Sequence, residues 1–274
     1  MGGGRLDVFG LTDVGKKRET NEDQFAIATM QKSLQLDHTS LGDTSALDRI
    51  GQSSARLLMV ADGVGGSFGG GLASSSAVEA LTEYLGQTAG CYYKFDVDTE
   101  HEFLDQLEGA VHRAHERVRS HTPKGRGPAT TLTLVTLVWP RGYVIHVGDS
   151  RGYHLRGGRM RQFTQDQTMG DLLVDEGVMT EEQARESGMH NVLSSALGAD
   201  YIPSIGLLDF RFDDVLLLCT DGLTKHVSDE EIAATLQRGE AAEATCRELV
   251  DRALDAGGTD NVTVVVCRML GPGG

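Results

Sequence analysis

Apolar and polar residues alternate loosely from Leu6 to Val14, which predicts a strand, and a second strand is expected over Gln24 to Thr29. Between them lies the polar run Lys16 to Asp23. Leu57-Leu58-Met59-Val60 has the composition of a buried strand and delivers Asp62 into the glycine-rich turn Gly63-Val64-Gly65-Gly66. Leu72, Ala77, Ala80, Leu81, Tyr84 and Leu85 recur at helical spacing. Leu104, Leu107, Val111, Ala114 and Val118 step by threes and fours and form one apolar stripe. His101, His112, His115 and His121 lie around that second helix and read as its polar face rather than as metal ligands.

From Ala129 the period changes to that of strands. Thr130 to Trp139, Tyr143 to Val147, Tyr153 to Arg156 and Arg159 to Phe163 are separated by the turns Pro140-Arg141-Gly142, Gly148 to Gly152 and Gly157-Gly158. Such short connections predict antiparallel neighbours, hence a β-meander. Residues 166–198 read as short helices and loops, with a helix start at Thr180-Glu181-Glu182-Gln183. Strands are expected over Leu207 to Phe212, Val215 to Cys219 and Val262 to Cys267, with helices opening near Ser228 and Glu240. Residues 31–55 are polar, lack periodicity and read as a surface insertion.

Composition narrows the classes. The 274 residues, with no Pro/Ser-rich linker, favour one domain over about 5–270, and 39% hydrophobic content suits a globular core. The net charge of −15 disfavours nucleic acid and anionic membranes as partners. Cys91, Cys219, Cys246 and Cys267 show no CxxC spacing, and three lie in apolar runs, as buried thiols of a reducing compartment would. No apolar segment is long enough to span a bilayer, no secretory segment follows Met1, and the glycine-rich termini read as frayed ends, so a cytoplasmic monomer is expected.

Asp62, Asp149 and Asp221 all follow apolar strands, and Asp260 precedes one. Arg18, Glu22 and Asp23 sit at the mouth of another, where a solvated turn is the simpler alternative. Clustered carboxylates without His or Cys partners suit Mg2+ or Mn2+, because these ions prefer hard oxygen ligands. Two such ions can activate a water and clamp a phosphoryl oxygen, and an arginine beside them can bind the phosphate.

Six stretches stand in the order found in a known family: Arg18-Glu19-Thr20-Asn21-Glu22-Asp23, Asp62-Gly63-Val64-Gly65-Gly66, Ala129-Thr130-Thr131, Gly148-Asp149-Ser150-Arg151, Thr220-Asp221-Gly222-Leu223 and Asp260-Asn261-Val262-Thr263. From Leu6 to Met269 the chain resembles the metal-dependent (type 2C, PPM) protein serine/threonine phosphatases of bacterial type. The resemblance implies an α+β fold, an antiparallel β-sandwich flanked by helix pairs in four layers, α-β-β-α. It implies hydrolysis of phosphoserine and phosphothreonine on proteins by a two-metal-activated water, with phosphorylated proteins, a Ser/Thr kinase and its substrates as partners. Asp62 would bridge two Mn2+ or Mg2+ ions, the Gly63 carbonyl, Asp23, Asp221 and Asp260 would complete the direct ligands, and Glu22 would act through water. Asp149 would hold a weaker third ion, Arg18 would bind phosphate, and Met169 to Ser195 would form a flap. Val64 stands where eukaryotic members carry a proton-donating His, and Asp166-Gln167 where Asp-His is common. An inactive relative that binds phosphoproteins as a scaffold is the alternative, although such a relative is expected to lack some of these acids. A metal-dependent nuclease fits the ions but not the charge.

Overall fold

The structure, a computed structural model, describes residues 5–31, 54–64, 69–88, 97–121 and 127–271. All but the ends of the polar stretch 31–55, together with Gly65, Gly66 and Cys91, lie outside the described residues. Two antiparallel sheets form the centre. One contains β1 (Arg5–Asp13), β11 (Val262–Leu270), β10 (Val215–Cys219), β7 (Arg151–Arg156) and β8 (Arg159–Gln162), in that order. The other contains β2 (Asp23–Gln31), β3 (Ser54–Val64), β5 (Leu132–Val138), β6 (Arg141–Val147) and β9 (Ser204–Asp209), with the two-residue β4 (Ala129–Thr130) paired to the end of β3.

Successive side chains of a strand point to opposite faces, and this divides the apolar residues among three cores. Leu58 and Val60 of β3 meet Leu216 and Leu218 of β10 and Val265 and Cys267 of β11 between the sheets. Leu57 and Met59, on the other face of β3, pack beneath the helix pair α1 (Gly70–Thr88) and α2 (Val97–Ser120). Leu217 and Cys219, with Val264 and Val266, pack beneath α5 (Asp221–Thr224), α6 (Asp229–Gln237) and α7 (Ala242–Asp255). The result is the four-layer α-β-β-α sandwich that the resemblance implies. Each fully buried Leu or Val on these faces contributes about 1.5–3 kcal/mol.

Several local expectations are met by identifiable chemistry. Ser228 and Glu231 form a capping box that starts α6, and Thr180 and Gln183 form another that starts α4 (Glu181–Glu186). Gly157 and Gly158, both at positive φ, close the β7–β8 hairpin. Cys219, Cys246 and Cys267 are buried free thiols.

Other expectations are corrected. The middle of the chain is not a continuous meander: β5–β6 and β7–β8 are hairpins in opposite sheets, and 148–150 carry the chain between the sheets. Gly148 makes that corner possible, with φ at 105° and no room for a Cβ, which would lie 2.6 Å from the Thr131 side chain. The expected turn at 140–142 comes earlier, because Arg141 and Gly142 already pair with Val138 and Leu137 in β6. Leu72 is 45% exposed rather than core, as it sits in the first turn of α1. His115 is buried rather than on a polar face: its Nδ1 accepts the Gly198 N–H, and its ring stacks on Tyr201.

Candidate active site

β2 and β3 pair so that Asp23 lies directly opposite Asp62. β3 does not end at Asp62 as expected. It continues through Gly63 and Val64, which pair with Thr130 and Ala129, and Thr130 Oγ1 donates to the Asp62 carbonyl while the Asp62 N–H donates to Thr131 Oγ1. The carboxylate is thus held on a paired strand and not on a free turn. Gly63 is obligatory here, since a Cβ would fall 2.2 Å from the Gly70 carbonyl oxygen at the start of α1 and 2.7 Å from that of Glu22.

Asp221, Asp149 and Asp260 come from other directions. Asp221 opens α5 after β10, Asp149 occupies the inter-sheet corner, and Asp260 immediately precedes Asn261 and β11. With Arg18, Glu22, Asp62, Gly63, Val64 and Lys225 they line one open cavity of about 680 Å³. Met169 and residues 191–196 complete its wall, so the expected flap, built from α3 (Met169–Asp175), α4 and a 3-10 turn at Met189–Asn191, stands beside these acids. Every sequence-predicted site residue except Asp23 lines that cavity. Asp23 lies behind it, buried, its Oδ2 accepting hydrogen bonds from Thr220 Oγ1 (2.8 Å) and Thr263 Oγ1 (2.7 Å).

The electrostatics are unfavourable for a bare protein. Burial, followed by repulsion from Asp23, Asp221, Asp149 and Asp260, pushes the Asp62 carboxyl well above the usual carboxylate range. Burial is also the main cause that raises Asp23 and Asp149, each to about 7. Asp221 is raised by burial too, although Lys225 opposes the shift. Asp260 departs in the other direction: burial works to raise it, but Lys225 and Arg18 outweigh burial and hold it low.

The donor set fits a hard divalent cation. Asp23 Oδ1 and Asp221 Oδ1 are buried with no hydrogen-bond partner, an expensive state for a carboxylate oxygen unless a cation satisfies it. Among the described residues, however, no three His, Cys, Asp or Glu side chains are gathered around one point. Two basic side chains hold some of them instead. Lys225 Nζ lies 2.6 Å from Asp221 Oδ2 and 2.9 Å from Asp260 Oδ2. Arg18 forks onto Asp260, with Nε 2.8 Å from Oδ1 and Nη2 3.1 Å from Oδ2.

Three residues with structural parts in this site carried no assigned role in the sequence. Lys225 follows Asp221 by four residues, the spacing that places two side chains on one helical face, and that was its only signal. Asn261 accepts the Glu22 N–H and donates to the carbonyls of Val14 and Thr20, which ties the loop carrying Arg18 to the start of β11. Gln167 accepts the Gly148 N–H and donates to the Ile202 carbonyl, joining the Asp149 corner to the stretch just before β9. The partners of Asn261 and Gln167 are remote in sequence, so no spacing reveals them.

A two-sheet sandwich whose clustered strand-end acids include two buried carboxylate oxygens without a partner has the make-up of a divalent-metal hydrolase. The profile described as Protein phosphatase 2C matches residues 43–257, and the chain belongs to that family. It is 38% identical over 222 residues to the serine/threonine protein phosphatase PstP of Mycobacterium tuberculosis, covering 80% of this chain and 41% of PstP, so the match spans under half of that relative. Protein phosphatase PhpP of Streptococcus pneumoniae is 28% identical over 270 residues, covering 96% of this chain and 98% of PhpP. Among solved structures, M. tuberculosis PstP/Ppp aligns with a TM-score of 0.74 at 32% identity, over 97% of this chain and 99% of that one. The PstP catalytic domain in complex with two manganese ions aligns with a TM-score of 0.73 at 31% identity, over 97% and 98% of the two chains. No helix among the described residues is long and apolar enough to cross a membrane.

Proposed function

We propose that residues 5–270 act as one catalytic domain that hydrolyses phosphoserine and phosphothreonine monoesters on proteins. Asp23, Asp62, the Gly63 carbonyl, Asp221 and Asp260 would hold two Mn2+ or Mg2+ ions, with Glu22 reaching them through water and Asp149 holding a weaker third. When bound, such cations supply Lewis-acid activation of water and neutralise charge at the phosphoryl group. The observation that carries this reading is the pair of buried, partnerless oxygens of Asp23 and Asp221 beside a solvent-open cavity. The manganese complex of PstP supports the choice of cation.

The chain's own residues would do the following. Arg18, half-exposed at the cavity rim and forked onto Asp260, carries a planar guanidinium whose geometry would also suit two phosphoryl oxygens. Asn261 fixes the backbone of Glu22 and so the approach of that loop. Met169 and residues 191–196 form a wall of the cavity and would border a bound substrate. Val64 lines the cavity and has no proton to give the departing serine or threonine oxygen. Phosphorylated proteins are the partners this chemistry implies, together with the Ser/Thr kinase that must form the ester before it can be cleaved.

Hydrolysis of p-nitrophenyl phosphate and of a phosphothreonine peptide, measured with Mn2+, with Mg2+ and with chelator, tests the proposal. Turnover should require the cation and be lost in Asp62→Ala. Well-folded protein with no Mn2+-dependent turnover above that variant would overturn the reading and leave a phosphoprotein-binding module in its place.

A further inference from the structure

Lys225 caps the C-terminus of the single turn that Asp221 opens, and its N–H donates to the Asp221 carbonyl at 2.8 Å. Its side chain therefore returns over Asp221 by the pitch of the helix, and its ammonium bridges Asp221 Oδ2 and Asp260 Oδ2, carboxylates from two different elements. Asp260 is engaged on both oxygens: Oδ1 accepts from Arg18 Nε and the Asn261 N–H, and Oδ2 accepts from Lys225 and Arg18 Nη2. It cannot turn an oxygen toward a divalent ion without giving up one of these donors. Asp23 and Asp62, by contrast, form no close ion pair among the described residues, and Arg18 acts on Asp62 only from a distance. The acids thus fall into a pair without a salt-bridge partner and a pair bridged by a tethered cation.

We propose that Lys225 is a positioning residue that acts as a built-in counter-cation, holding Asp221 and Asp260 together in the metal-free protein and competing with the divalent ion those two acids would share. The inference rests on the metal-centre reading above and adds an order of events. The first ion fills the side of Asp62 and Asp23, and the second binds more weakly because it must displace an ammonium.

Titration calorimetry of Mn2+ into chelator-stripped, dialysed protein tests the inference without reference to catalysis. Wild type should show two unequal steps. In Lys225→Gln the weaker step should tighten about tenfold, as two partly exposed ion pairs cease to compete, while the tighter step stays unchanged. Lys225→Arg, which keeps the charge, should keep the weak step weak. In chelator, Lys225→Gln should unfold at a lower temperature than wild type yet gain more from added Mn2+, whereas loss of a merely structural contact would lower both midpoints equally. Unchanged Mn2+ affinities in Lys225→Gln would overturn the proposal, and a raised KM for phosphopeptide with those unchanged affinities would instead make Lys225 a phosphate contact. If neither protein binds Mn2+, the carboxylate centre itself is refuted and the proposal falls with it.

Discussion

Replacing Asp23 by Asn should stabilise the metal-free protein at alkaline pH, although it deletes a proposed metal ligand. Asp23 is only 2% exposed, and burial is the largest cause that lifts its carboxyl from 3.8 to about 7; the hydroxyls of Thr263 and Thr220 pull it back, and Asp221 and Asp260 push it further. The folded chain therefore holds this proton more tightly than the unfolded chain. Stability should fall as pH rises from near 4, where only the unfolded state ionises, and level off above about 7, where both states are charged. The gap of about three pH units corresponds to a penalty on the order of 4 kcal/mol at pH 8. An Asn oxygen can still accept from both threonines, while its NH2 replaces the partnerless Oδ1 and becomes an unsatisfied donor, which costs about 1–3 kcal/mol. A net gain of about 2 kcal/mol remains at pH 8, or roughly 4 °C in thermal midpoint for a chain of this size. At pH 4.5 most of the penalty is already absent in wild type, and the variant should be the less stable protein. Thermal unfolding in chelator at the two pH values reads this reversal directly, and saturating Mn2+ at pH 8 should restore the advantage of wild type. A shift of the same sign and size at both pH values would refute the reasoning.

Two further substitutions probe the frame around the acids. Gly63→Ala places a methyl group against backbone carbonyls of Gly70 and Glu22 that cannot step aside singly, and it should cost about 1–3 kcal/mol in urea unfolding while weakening Mn2+ binding. An unchanged unfolding midpoint would mean that α1 does not press on β3. Asn261→Ala strips partners from the Glu22 N–H and from the carbonyls of Val14 and Thr20, and a loss of about 2–3 kcal/mol is expected. Hydrogen exchange should accelerate first at 14–22, and uniform acceleration across the chain would contradict a local staple.

How much of this was legible in the sequence depended on the range of the interactions. The apolar run of β3 announces a buried strand, but Leu57 and Leu58 look alike, and only the packed structure sends one toward the helices and the other between the sheets. Asp62, Asp149, Asp221 and Asp260 were recognisable because acids next to strands are a local pattern. The extension of β3 past Asp62 was not, because it depends on pairing with Ala129 and Thr130, over sixty residues away. The corner at 148–150 misled for the same reason: a short link between strands ordinarily makes a hairpin, and nothing nearby states that the next strand joins the other sheet. Asn261 and Gln167 are ordinary polar residues until their distant partners are known. Lys225 is the intermediate case, visible by spacing to Asp221 but not by its second contact with Asp260.

The hydroxyl chain around Asp23 bears on how the sandwich can move. Asp23 belongs to one sheet, whereas Thr12, Thr220 and Thr263 belong to or flank the strands of the other, and Thr12 and Thr263 also bond to each other at 2.7 Å. Contacts between apolar faces are nondirectional and tolerate small shear, but a carboxylate oxygen gripped by two hydroxyls does not. The layers are therefore pegged by direction at the acid-bearing end, and a second polar link, from the Arg156 guanidinium to the Asp209 carbonyl, joins them at the other. The placement of Asp23 against the ends of β10 and β11 is thus set by the direction of two hydroxyl bonds and not by apolar contact alone.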